Sequence, residues 1–192
     1  MVEPEMSEPA TVSMSIPDIA IPHCEPGIGA VIVVPDSPKL IVGVSARPLA
    51  LWPDDRGWFL EVARIGQGEV SGFDPSSTQV SSALSYPGTI KAFHYHRHQT
   101  DYWVPVAGML QVVLVDLRRG SETWGVKNTL HVGAMRPWGL SIPPGVGHGY
   151  KVIGADAAVL VYVTSRLYNP EDEGRIRYDD PAIAYDWELQ HK

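Results

Sequence analysis

A chain of 192 residues with 15 lysines and arginines against 22 aspartates and glutamates carries a formal charge of −7. The length suits one domain with a sizeable core, and acidity without a Lys/Arg cluster argues against nucleic acid and anionic membrane as partners. No apolar run approaches the about 18 residues of a spanning helix, and the opening MVEPEMSEP lacks the basic region of a signal peptide. The cytoplasm is the expected compartment, and the one cysteine, Cys24, has no internal disulfide partner and reads as an inert thiol.

In chain order, residues 1–28 are rich in Pro, Glu and Ser without periodicity, so an arm, partly disordered when alone, is expected there. A single domain is expected over residues 29–192. Short apolar runs then recur between turn signals: AVIVV, KLIVGVSA, WFLEVA, TIKAFHYH, MLQVVLVDL, NTLHVG, GLSIPP and AAVLVYVT. Their length and β-branched content predict strands, and no segment sustains a 3.6-residue apolar period. The 17 prolines and 18 glycines fit turns better than helices. The predicted class is all-β, with a double-sheet jelly roll as the economical way to protect strand edges.

Chemistry concentrates between Gly88 and Gly108, GTIKAFHYHRHQTDYWVPVAG. His94 and His96 are two residues apart on a predicted strand, which places both imidazoles on one face, and Asp101 follows a short polar turn. A Pro-Pro-Gly turn in IPPGVGHGY delivers His148 at the start of a later strand. Two or three imidazoles and a carboxylate suit a divalent metal such as Zn, Fe, Ni or Mn. The competing reading is a histidine-rich solvated face, since His98 continues the same alternation.

This pattern resembles the cupin superfamily, whose first motif is Gly, five residues, His-x-His, three or four residues, Glu, six residues, Gly, and whose second is Pro-x-Gly-x-x-His. Gly88, His94, His96 and Gly108 fit the first, with Asp101 in the glutamate's place, and Pro143, Gly145 and His148 fit the second. The resemblance implies a cupin-type double-stranded β-helix and the metal set His94, His96, Asp101 and His148.

Over roughly residues 47 to 187, the segments DDRGWFLE, VDLRRGSETWG, IPPGVGHGY and YNPEDEGRIRYDDPAIAYDW resemble the dTDP-4-dehydrorhamnose 3,5-epimerase family. That resemblance implies a jelly roll, a homodimer exchanging N-terminal strand contacts, and inversion of a dTDP-4-keto-6-deoxyhexose through an enolate, without an organic cofactor. Carried over by position, the family's histidine base falls on His94, its tyrosine acid on Tyr162, six residues before Tyr168, and its arginine three before the histidine on Lys91. Arg56, Phe59, Glu61 and Gln79 fall on its nucleotide contacts, and Tyr168 joins the substrate-binding set. A surface ion pair is the plain alternative for Arg56 and Glu61.

The departures are specific. Asp101 stands where the family has its catalytic lysine, and His96 where it has a glutamine. The family's Leu-Ser-x-Lys-Asp segment, whose aspartate orients the histidine, would lie beyond Trp187, so the expected His-Asp dyad lacks its acid. A divalent metal held at Asp101 would restore the lost positive charge, and if His94 ligates, then His98, Tyr162 or a metal-bound hydroxide must take the proton. Three functions therefore stay open: a nucleotide-sugar epimerase or isomerase, a metal-dependent cupin oxygenase or isomerase of another small substrate, and a non-catalytic sugar binder.

Overall fold

A computed structural model describes residues 16–189, and its regular elements are strands apart from one short 3₁₀ turn at Gly68–Val70. Two sheets face one another. The first has six strands in the order β1 (Ala30–Val31), β9 (Lys127–Gly133), β8 (Met109–Asp116), β11 (Val146–Ile153), β6 (Ile90–His96) and β13 (Glu173–Arg175). The second has five, in the order β2 (Ser45–Pro48), β10 (Trp138–Ile142), β7 (Asp101–Ala107), β12 (Ala158–Thr164) and β5 (Gln79–Ser85). A separate hairpin joins β3 (Leu51–Asp54) to β4 (Gly57–Leu60). The predicted all-β jelly roll is observed. Several expected strands are shorter than their apolar runs: AVIVV pairs only at Ala30 and Val31, and most of KLIVGVSA is turn.

The period of two explains why β8 reads as an unbroken apolar run. Leu110, Val112 and Leu114 point between the sheets into the main core, while Val113 and Val115 point outward against Ile176, Ile183, Tyr185 and Trp187. That outer layer is made by the chain after β13 and by residues preceding β1. Ala20 N donates to Leu117 O, Cys24 N to Ala182 O and Gly27 N to Ala184 O. The chain is thus tied down well before the expected boundary at residue 29; residues 1–15 of the expected arm lie outside the described residues.

One buried cation clamps this layer. Lys127 Nζ donates to the carbonyls of Glu25, Gly27, Ile183 and Ala184 at 2.7 to 3.1 Å, joining both flanking segments to β9. Burial pushes its pKa down, against the pull of Cys24 and Glu25. Four carbonyl acceptors replace the water an ammonium loses on burial. Among the described residues no helix is long and apolar enough to cross a membrane.

Candidate active site

At one end the two sheets part around a cavity of about 340 Å³. Lys91, His94 and His96 reach it from β6, His148 from β11, Asp101 from β7 and Tyr162 from β12. Lys91 and His94 are three apart, an odd separation that an ordinary strand would send to opposite faces. The register resolves this: His148 pairs with His94 and Tyr150 with Lys91, so Ala92 and Phe93 together oppose Gly149. That β-bulge resets the alternation and lets Lys91 share the histidines' face.

His94 has a carboxylate partner of its own. Its Nδ1 lies 2.8 Å from Glu173 Oε1 on the neighbouring β13. A carboxylate can only accept, so His94 Nδ1 carries the hydrogen and Nε2 keeps a basic lone pair. Glu173 Oε1 also accepts from Arg175 Nε at 2.7 Å. Burial works to raise the Glu173 carboxyl, but the hydrogen bonds from Arg175 and His94 outweigh it and hold it below its ordinary value. The carboxylate expected to be missing therefore comes from a different element.

Deeper in, His96, Asp101 and His148 form a second cluster whose potential ligand atoms all lie within 4.8 Å of one another. Asp101 and His148 are 4% and 3% exposed. Asp101 accepts from Trp103 Nε1 at 3.1 Å and from Gln99 Nε2 at 2.6 Å. The His96 and His148 rings stack at 5.6 Å, and the edge of Trp103 meets His148 at 5.0 Å. Burial pushes the His148 imidazole down to about 4, against the opposing pull of Asp101.

Of the four ligands expected, His96, Asp101 and His148 bring ligand atoms within 4.8 Å of one another, and His94 does not join that group. His98 does not continue the face, because β6 ends at His96; it lines a separate cleft with Asp74 and Arg166. Gln79 and Tyr168 border the cavity, with the Tyr168 amide donating to Gln79 Oε1 at 3.2 Å. Arg56, Phe59 and Glu61 do not border it within this chain. Arg56 pairs with Asp54 at 2.5 Å in the β3–β4 turn, Phe59 is exposed, and Glu61 pairs with Arg64 at 2.8 Å. Arg56 and Glu61 thus each sit in an exposed ion pair with a near neighbour in sequence and not with one another. Glu173, Gln99 and Asp172 were missed. Their only signal was a polar or acidic identity near the motifs; Gln99 reaches His96 and Asp101 from the turn between β6 and β7, while the packing of distant segments brings Glu173 and Asp172 to the histidines.

The family profile described as dTDP-4-dehydrorhamnose 3,5-epimerase matches residues 39–192. The chain is 41% identical over 155 residues to the spore coat polysaccharide biosynthesis protein SpsL of Bacillus subtilis, covering 80% of this chain and 100% of that protein. It is 34% identical over 140 residues to the dTDP-4-dehydrorhamnose 3,5-epimerase of Pseudomonas aeruginosa, covering 71% and 77%. The crystal structure of ChmJ, a 3'-monoepimerase from Streptomyces bikiniensis in complex with dTDP-quinovose, superposes with a TM-score of 0.68 at 30% identity, covering 77% and 76%. With a jelly roll whose sheets part around a histidine, a tyrosine and a lysine, the chain belongs to the dTDP-4-dehydrorhamnose 3,5-epimerase family, a family of isomerases.

Proposed function

We propose that the protein epimerises a dTDP-4-keto-6-deoxyhexose by moving a proton at the carbon beside the ketone. The observation that carries this reading is the placement of His94 and Tyr162 on opposing sheets across one cavity, with His94 Nδ1 held on Glu173. His94 Nε2 takes the proton, the electron pair delocalises onto the carbonyl oxygen as an enolate, and the Tyr162 hydroxyl returns a proton to the opposite face. Lys91, on the cavity wall beside His94, supplies positive charge for the enolate oxygen. Solvent exchange restores both groups. The cavity is at the small end of ligand pockets, which suits the sugar ring better than a whole nucleotide sugar.

The nucleotide then has to be gripped outside the cavity. The β3–β4 hairpin exposes Trp52, Trp58 and Phe59 beside Arg56, an apolar surface with a cation that suits burial against a second copy of the chain. In the proposed homodimer this hairpin meets the neighbouring subunit's cavity, and Arg56, Phe59, Glu61 and Gln79 contact dTDP. A metal-dependent reaction on another substrate is the second reading, favoured by the His96, Asp101 and His148 cluster. A cation bound there would polarise a carbonyl as a Lewis acid.

The test is proton exchange. In deuterated water the wild type should load deuterium at the carbons flanking the ketone of a dTDP-4-keto-6-deoxyhexose, and His94→Ala should lower that rate by about 10²- to 10⁴-fold. Calorimetry should show dTDP binding that Arg56→Ala weakens. Absence of both exchange and dTDP binding would remove the nucleotide-sugar reading and leave the metal-dependent one.

A further inference from the structure

Among the described residues one arginine borders the histidine cavity, and the proton transfer does not use it. Arg175 is the last residue of β13, and the antiparallel pairing with β6 sets its Cα opposite that of His94. Residues directly opposite one another on neighbouring strands project to the same face, so the guanidinium and the imidazole share the side that looks into the cavity. Arg175 Nε donates to Glu173 Oε1 at 2.7 Å, the oxygen that also holds His94 Nδ1.

That one bond leaves both Nη groups without a partner among the described residues. Arg177, two residues on, is the contrast: its Nε and Nη2 donate to Asp179 at 2.9 and 2.8 Å, so its fork is already committed to a carboxylate. Arg175 is held at one end and open at the other. Fixing Nε removes rotamer freedom that an incoming anion would otherwise have to freeze. The Arg175 side chain is 71% exposed, which puts the open end at the cavity mouth, while Asp101 and His148 are buried at the floor. Lys91 and Tyr168, both exposed, border the same cavity. The Glu173 charge is matched by Arg175, so the charge of Lys91 leaves the mouth net positive.

We propose that Arg175 grips the diphosphate of the nucleotide sugar, its Nη groups donating to phosphate oxygens while Nε stays on Glu173. A planar, permanently charged fork facing solvent meets a phosphate in two parallel bonds. The assignment rests on the nucleotide-sugar reading and deepens it: the cavity takes the sugar, and an anchor in the same chain as the base fixes the phosphate next to that sugar. Base and anchor are then built on one carboxylate, and a free sugar lacks the group that Arg175 holds.

The experiment is calorimetry on the full-length protein with dTDP and with thymidine, joined to steady-state kinetics on the dTDP-4-keto-6-deoxyhexose. The wild type should bind dTDP more tightly than thymidine. Arg175→Gln, at an exposed position and expected to fold, should weaken dTDP by about 10- to 100-fold, the worth of a hydrogen bond to a charged group, and leave thymidine unchanged. Arg175→Lys, which keeps the charge without the fork, should fall between, and Arg177→Gln should bind as the wild type does. In turnover Arg175→Gln should raise KM by more than it lowers kcat. A variant that loses kcat with dTDP affinity intact would overturn the proposal and make Arg175 a support for Glu173 alone. A wild type that binds no dTDP would instead remove the nucleotide-sugar reading, and the anchor with it.

Discussion

At the scale of single residues, two carboxylates divide the labour of chemistry and stability. Glu173 holds the His94 ring in one tautomer, so its loss should be felt in turnover rather than in binding. We expect Glu173→Gln to lower kcat by about 10²-fold, within the range of general-base effects, with KM little changed and Glu173→Asp recovering part of the loss. Steady-state kinetics that raise KM alone would instead make Glu173 a substrate contact. Asp116, fully buried, accepts from Arg118 Nε and Nη2 at 2.8 Å and from the hydroxyls of Ser121 and Thr123 at 2.6 Å. Burial alone would raise its pKa, but these bonds outweigh burial and hold the carboxyl below its ordinary value. Its stabilisation is therefore present above the ordinary value of 3.8 and fades as pH falls through the lower native one. Asp116→Asn should cost about 3 kcal/mol at neutral pH by leaving Arg118 without its anion. Urea unfolding checks this, and the gap from wild type should narrow below the ordinary value.

At the scale of elements, the bulge in β6 is the feature on which the cavity depends. It works because Gly149 lets β11 lie against Ala92: a Cβ at Gly149 would sit 2.3 Å from the Ala92 Cβ and 2.8 Å from the Lys91 carbonyl. Backbone stands in the way, so no side-chain rotation relieves the clash. Gly149→Ala should cost about 1–3 kcal/mol and shift Lys91 and His94 together. Urea titration should show the loss of stability, and deuterium exchange should show the loss of activity at temperatures where the variant is folded. A variant with wild-type exchange rates would show that the bulge does not set the base. The hairpin of β3 and β4 is the contrasting case, since it hydrogen-bonds into neither large sheet, packs on the second through Leu60 and leaves Trp52, Trp58 and Phe59 exposed.

At the scale of the whole molecule, exposure of Trp52, Trp58 and Phe59 on one hairpin is unusual for a chain that stays alone. Light scattering at micromolar concentration should report a dimer, and replacing Trp52 and Phe59 by serine should shift the mass toward a monomer while leaving the strand content unchanged by circular dichroism. A wild-type monomer would leave Arg56, Phe59 and Glu61 without access to the histidine cavity.

The sequence by itself determined the class of the fold and the identity of the cavity's principal side chains. Alternating apolar residues with glycine and proline punctuation specify strands through local sterics, and the spacing of His94, His96, Asp101 and His148 is readable because strand alternation is a local property. Only the tertiary structure decided which of those groups meet. Pairing of β13 with β6 brings Glu173 to His94 Nδ1, while the atoms that come within 4.8 Å of one another belong to His96, Asp101 and His148. Asp172 joined the deep cluster for the same reason, since a contact between segments 75 residues apart depends on how they pair, which no local pattern records, whereas Gln99 reaches His96 and Asp101 from the short turn between them. The bulge at Ala92 and Phe93 likewise follows from how β11 lies on β6, and it alone turns Lys91 to the histidines' face.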